Sequence, residues 1–420
     1  MVNPIAFLRT WLVSVAALAI LVAAVNLLVD PYDVFGTPRL AGISLLKPAA
    51  KNHTMLAKTY QEARAHPVTV LIGSSTTHIG IDAFGPQWPE PMLPVYNYGI
   101  PGAYTTSTSL HTVQEAVTAG GIKNAIVFLD FQNFFVPEVP GEIPPEDERR
   151  FRVMADGTPN PHRQTQIAND MFLSLATAGA FVDSVTTILG QGKRNTLNLA
   201  PDGSSTEADF IDAAQADGMH DIFVHKNDYE VERATRLKRV MTAWTGRLPD
   251  LDIIAALIAY AGAHDVKLTL VLAPHHADAL EIYWRAGLWP RVEQLKTELA
   301  TMAAASDVTL WDFMDYSSFT TEGVPAAGDR RRPTSWFWES THYKKQLGEF
   351  MIEQMFGGKP PLFGTILTPD NVAARNAEVR AQRQSVVCDG TGERLLTAIT
   401  HPIADGCTPI ARTLAEHGPT

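Results

Sequence analysis

Val68-Thr69-Val70-Leu71-Ile72-Gly73-Ser74-Ser75-Thr76-Thr77-His78 runs from an apolar, β-branched segment straight into a glycine and a string of hydroxyls. A continuous β-branched run bounded by a turn residue reads as a strand covered on both faces, the kind found in parallel sheets. Four more runs of this type follow, at Val95–Tyr98, Ala125–Leu129, Val266–Leu272 and Val308–Trp311. Helix-like segments separate them, at Thr105–Thr118, Leu251–Ala263, Ala277–Ala304 (with a break near Gly287–Pro290) and Lys344–Phe356. Alternation of strand and helix implies right-handed crossovers. The expected fold is α/β: a three-layer α/β/α sandwich around a five-stranded parallel sheet, spanning 68–356.

Two regions break the alternation. From about Phe134 to Leu248 the chain is rich in Pro, Gly, Asp and Glu, with one helical stretch around Ala168–Leu189. A connection this long after the third strand reads as a cap or lid, with a separate domain as the alternative. Residues 357–420 read as a tail, in which Asn371–Gln384 has the composition of a charged surface helix. Residues 31–67 read as a linker and leading helix.

At the start, Thr10–Val29 carries no charge. As a helix it is about 30 Å long, enough to cross a bilayer core. Arg9 precedes it and Asp30 and Asp33 follow it, so the positive-inside bias exports the body. Residues 1–30 are expected to be an uncleaved anchor; a signal peptide cut near Ala23–Ala24 is the alternative. Export permits disulfides. The chain's 2 cysteines, Cys388 and Cys407, sit in turn-rich sequence that a staple would order, so a bridge is expected, with two separate buried thiols as the alternative. A net charge of −11 argues against a nucleic-acid partner, which needs a basic face. No cofactor is expected, and His275-His276 lacks the spaced partners of a metal site.

In an open α/β sheet, ligands bind outside the carboxyl ends of the strands. The residues found there are Gly73-Ser74-Ser75, Asn97-Tyr98-Gly99-Ile100-Pro101-Gly102-Ala103, Asp130-Phe131-Gln132-Asn133, Ala273-Pro274-His275-His276 and Asp312. Just before the last helix stands Glu339-Ser340-Thr341-His342. A serine hydroxyl becomes a nucleophile when a histidine takes its proton, and a carboxylate on the far ring nitrogen fixes the tautomer. Glu339 and His342 are spaced so that a single turn presents both. The Gly102 amide can approach a developing oxyanion, and Gln132 or Asn133 can add an amide donor. His275 and His276 read as substrate-pocket or plain loop residues, and Trp336 and Trp338 as sugar-stacking or core aromatics. Arg330–Arg332 reads as a solvated loop or a contact for an anionic sugar. Asp312 is an alternative partner for His342, and Asp130 a loop-positioning residue.

In this order the motifs resemble the SGNH (GDSL-type) hydrolase superfamily over about residues 68–356. Gly73-Ser74-Ser75 stands where that family has Gly-Asp-Ser, so Ser75 matches the nucleophile, with Ser74 the alternative. Asn97, Gly99 and Gly102 match Asn-x-Gly-x-x-Gly, which implies that the amides of Gly102 and Ser75 form the oxyanion hole. Glu339-Ser340-Thr341-His342 stands for Asp-x-x-His, with His342 as base and Glu in place of Asp. Leu129-Asp130-Phe131-Gln132-Asn133 replaces Gly-x-Asn-Asp and leaves the third donor open between Gln132 and Asn133.

A Gly-Ser-Ser block behind an anchor is similar to the exported branch found with bacterial alginate and teichoic-acid O-acetylation, although the alginate-type relatives order their catalytic motifs differently. That branch implies a single-pass inner-membrane protein with its body in the periplasm, beside a membrane-bound O-acyltransferase. It implies that Ser75 accepts an acyl group and passes it to a glycan hydroxyl. The alternatives are an esterase of the same fold acting on carbohydrate or lipid esters, and a non-catalytic scaffold in polysaccharide assembly.

Overall fold

The computed structural model describes residues 4–102, 106–136, 143–193, 195–358, 360–391 and 407. Helix α1 (Pro4–Val29) is long and apolar enough to cross a membrane. Short α2 (Pro48–Asn52) and α3 (Thr54–Ala65) lead into β1 (Thr69–Ile72), α4 (Ser75–Gly80), β2 (Val95–Asn97), α5 (Thr106–Gly120) and β3 (Asn124–Leu129). Then come α6 (Pro145–Arg150), α7 (Arg163–Ala176), α8 (Ala178–Gly190), α9 (Ala208–Ala216), α10 (Met219–Ala243) and α11 (Leu251–Ala263). Strand β4 (Lys267–Leu272), α12 (Ala277–Arg285), α13 (Trp289–Ala304), β5 (Thr309–Asp312), α14 (Lys345–Phe356), β6 (Thr365–Ile366) and α15 (Val372–Arg383) follow.

Among the described residues the sheet has 6 strands, in the order β2-β1-β3-β4-β5-β6. Parallel pairing sets Thr69 of β1 against Val95 on one side and Asn124 on the other. Every residue of β1 is buried, as a strand covered on both faces requires. Strands β4 and β5 are also parallel, with Thr269 opposite Thr309. The sheet is not wholly parallel and not five-stranded: β6 runs antiparallel, with Ile366 opposite Trp311. A strand of 2 residues carries no periodicity for the sequence to display.

Two further expectations are corrected. Among the described residues the region after β3 holds five α-helices, α6 to α10, where one helical stretch was expected. It is also not a single cap: the chain divides into two compact units, and residues 138–212 belong to the first while 213–258 belong to the second. The tail after α14 does hold the expected helix, α15, but that helix is not confined to the surface. Helix α15 buries Val372, Arg375, Asn376, Val379 and Arg383. Arg375 pairs with Asp315 at 3.0 Å and with Asp312 at 3.4 Å, and Arg383 pairs with Glu281 at 2.5 Å. The guanidinium groups that mark a surface helix in sequence are there to meet buried carboxylates. Cys388 and Cys407 form the expected disulfide, with Cα atoms 5.5 Å apart. Ala103, Thr105 and tail residues 392–406 lie outside the described residues.

The first unit comprises 1–128, 138–212 and 259–268. It receives α1 through a built corner. Lys47 Nζ, fully buried, donates to the Val29 and Asp30 carbonyls at 2.6 and 2.8 Å, satisfying groups that a helix end leaves open. Asp30 takes a left-handed conformation (φ 47°), and its carboxylate accepts the amides of Val34, Phe35, Gly36 and Thr37. The second unit comprises 129–137, 213–258 and 269–420.

Candidate active site

In the first unit, β1 delivers Gly73 and the Ser74-Ser75 pair to the start of α4. Ser74 is the N-cap: its Oγ accepts the Thr76 amide at 3.2 Å. Ser74 is thus engaged as the cap, while Ser75, half-buried, is the first residue of the helix. Asn97 ties the second block to this helix. Its Nδ2 donates to the Thr77 and Ile81 carbonyls at 2.9 and 2.8 Å, and its Oδ1 accepts the Gly99 amide at 2.9 Å. Gly99 must be glycine, because a Cβ there would lie 2.5 Å from the His78 backbone nitrogen. Gly102 sits at φ +82°, left-handed, and lines a cavity of about 470 Å³. The other walls come from Lys51–Leu56 and from Ile143–Arg150 around α6. Part of the expected lid therefore forms a wall of the cavity beside the expected oxyanion glycine.

One residue of this half escaped the sequence reading. Lys58 on α3 is fully buried, and its Nζ donates to the Asn97 and Gly99 carbonyls at 2.7 and 2.6 Å. Burial pushes its ammonium well below the ordinary lysine range, with Asp202 opposing. Nothing in the Lys-Thr-Tyr context of a helix announces this. Lys58→Met strands two buried carbonyls and is expected to cost about 2–4 kcal/mol in denaturant unfolding.

In the second unit the Glu339–His342 block is a tight hairpin tip, not a turn of helix. Phe337 bridges to Tyr343, and the Trp338 amide donates to the His342 carbonyl at 2.8 Å. Glu339 accepts the Thr341 amide at 2.7 Å and presents its other oxygen to His342 Nδ1. Its side chain is 4% exposed, against 15% for His342. Burial works against ionisation of Glu339, but the charges of His342 and Lys226 and the hydrogen bonds from His342 and Thr341 win, holding its carboxyl down to about 2. Lys226, on α10, is a second residue the sequence did not signal; burial opposes its charge, and Glu339 and Glu230 more than restore it.

The alternative partner for His342 is otherwise engaged: Asp312 takes Lys296 Nζ at 2.7 Å as well as Arg375. The third-block ambiguity also narrows. Gln132 is buried, and its amide donates to His275 Nε2 at 3.0 Å, while His275 Nδ1 donates to the Ala273 carbonyl at 3.1 Å. Asn133 is half-buried, and its Oδ1 accepts from Arg233 at 3.3 Å, which leaves its N–H groups as the donors.

The two histidines expected in a substrate pocket are structural. His275 is 1% exposed and packs edge-on against Phe131. His276 is fully buried; its Nε2 donates to the Glu322 carbonyl at 2.8 Å and its Nδ1 caps α12 by accepting the Asp278 amide. Burial lowers its pKa to about 4, so it stays neutral. Its own amide donates to the Ser340 carbonyl at 3.0 Å, so it braces the Glu339–His342 tip from behind. Trp338 is 8% exposed and lies under Lys344 Nζ, a core position. Trp336 packs edge-on against Phe319. Arg330–Arg332 is an exposed loop, with the amides of Arg331 and Arg332 tied to Asp329. Among the described residues, no cluster of His, Cys, Asp or Glu is arranged to hold a metal ion. Comparison with protein-family models, curated proteins and solved structures returned no match, so the chemistry of this chain is read from its own residues.

Proposed function

We propose that this chain is a membrane-anchored, extracytoplasmic serine O-acyltransferase of the SGNH type that moves an acyl group, most simply acetyl, onto a cell-envelope or exopolysaccharide glycan. Ser75 attacks the acyl carbonyl and His342 takes its proton through Nε2. Glu339 holds the ring and stabilises the imidazolium. The amides of Ser75 and Gly102 and the side chain of Asn133 donate to the oxyanion. As the intermediate collapses, His342 returns the proton to the leaving oxygen and Ser75 stays acylated. His342 then deprotonates a sugar hydroxyl, that oxygen attacks the acyl carbonyl, and the Ser75 oxygen leaves with the proton.

The observation that carries this reading is the buried, ionised Glu339 on Nδ1 of the more exposed His342. The cavity at Gly102 supports it by offering room for a substrate, lined by apolar Met55, Leu56 and Ile100 beside polar Asn52 and Thr54. Helix α1 and the Cys388–Cys407 disulfide support a body held at a membrane on the oxidising side. The acyl donor reaches Ser75 from a membrane-bound O-acyltransferase.

The test is turnover of a chromogenic acetyl ester by the full chain, with and without a sugar acceptor. Acetylated sugar as the main product supports transfer; free acetate alone supports the esterase alternative. Equal slow rates for wild type, Ser75→Ala and His342→Ala remove the enzyme reading and leave the scaffold. Within this reading, Asn133→Ala lowers kcat by about 10²-fold. Gln132→Ala instead acts on stability, by about 1–3 kcal/mol, because it strips His275 of its buried partner. Steady-state kinetics beside denaturant melts separates the two.

A further inference from the structure

The second half of α7 and the whole of α8, in the first unit, are inside out. The residues α7 buries are Gln166, Asp170 and Ser174, all polar. Its first half exposes Gln164, Thr165 and Asn169, but its second half exposes Met171, Phe172 and Leu173, at 41, 61 and 45%. Helix α8 buries Ser184 and Thr187 beside Ala180, and exposes Val182 (58%), Val185 (38%), Ile188 (37%) and Leu189 (68%). A helix facing water shows the opposite stripe. A helix facing hydrocarbon keeps its polar groups against protein.

The polar side is bonded inward. Asp170 receives Arg150 at 2.9 Å, Gln166 at 2.8 Å and the Tyr60 hydroxyl at 3.1 Å. Between Met171 and Gly190 the only charged residue is Asp183, and it accepts the Tyr32 hydroxyl at 2.5 Å. Helix α1, itself apolar along its length, packs on both helices. Asn26, near the end of α1, donates to the Leu175 carbonyl at 2.9 Å and accepts the Ser184 hydroxyl at 2.9 Å, so the pair and the apolar helix share one polar seam.

We propose that α7 and α8 form a second membrane element, a re-entrant wedge seated in the acyl-chain region of the leaflet that α1 leaves as it enters the body. The pair bends by 59°, and its arms have 14 and 13 residues. Each arm alone is about 20 Å long, short of the roughly 30 Å needed to span, and each keeps its polar side against the first unit, so the pair lies within one leaflet. The wedge and the anchor then hold the first unit flush on the bilayer at fixed depth. This inference rests on α1 lying in a membrane and is independent of the acyl-transfer chemistry.

The full chain, its two native cysteines bonded to each other, is reconstituted in phosphatidylethanolamine–phosphatidylglycerol vesicles as single-thiol variants. Phe172→Cys and Leu189→Cys report the wedge, Leu12→Cys the anchor, and Phe84→Cys, at a loop position 75% exposed, the aqueous surface. A water-soluble maleimide is expected to label the wedge and anchor positions at least about tenfold more slowly than position 84. Wedge positions labelled as fast as position 84, with position 12 protected, overturn the wedge and leave the anchor standing. All positions labelled equally fast overturn both. Labelling repeated at increasing lipid-to-protein ratio separates lipid from a second copy: protection that is lost on dilution in lipid overturns the wedge.

Discussion

On the proposed acyl-transfer mechanism, replacing Ser75 with Ala is expected to lower ester turnover by about 10⁴–10⁶-fold with the fold retained. The lost atom is one hydroxyl oxygen at the first residue of α4, where the cap is supplied by Ser74 and not by Ser75. The α4 cap therefore survives the substitution, and a denaturant melt of the variant checks that the fold is retained. The neighbouring Ser74→Ala is expected to reverse the pattern: it costs about 1 kcal/mol through the lost cap and spares the chemistry. Mass spectrometry of the ester-treated protein gives the direct readout. Wild type gains one acyl group on the peptide bearing Ser75, and Ser75→Ala gains none. Turnover by Ser75→Ala within tenfold of wild type would show that another group does the chemistry.

The second large effect is at Glu339. Glu339→Gln keeps the shape of the hairpin tip but removes the charge, and a carboxamide that donates to Nδ1 selects the wrong imidazole tautomer. The expected loss is about 10³–10⁴-fold in kcat. The pair also leaves a signature in stability. Its folded carboxyl lies at about 2, below the ordinary 4.5, so its contribution is complete above about pH 4.5 and is lost as pH falls towards 2. That contribution is on the order of 3 kcal/mol. The stability gap between wild type and Glu339→Gln should shrink as pH falls from 4.5 towards 2. A gap that widens on acidification would mean that Glu339 is not the ionised partner of His342.

Much of the α/β frame was legible because its signals are local. β-branched runs mark β1 to β5, and helix α11 falls on Leu251–Ala263 as its composition suggests. The residues at strand ends were legible for the same reason, since turns declare themselves through Gly, Ser and Asn. The mistakes share one cause. His275 and His276 look reactive in sequence, but what a histidine does depends on burial and on which groups its two nitrogens meet. Arg375 and Arg383 look solvated, but their charges are cancelled by carboxylates distant in sequence. The Gln132 and Asn133 amides are chemically alike, and only their partners tell them apart. Lys58 and Lys226 had no chance of being noticed, because a buried lysine has no local mark.

What the sequence by itself determined is the alternation of strands and helices, the apolar start, and the serine, glycine and histidine blocks, all written over spans of a few residues where periodicity and turn chemistry act. What only the tertiary structure decided is the antiparallel edge strand, the division of the long connection between two units, the commitment of Ser74 to capping, and the polar-inward, apolar-outward sense of α7 and α8. Those depend on free energies of burial and pairing between residues far apart along the chain, and such terms exist only once the chain has closed on itself.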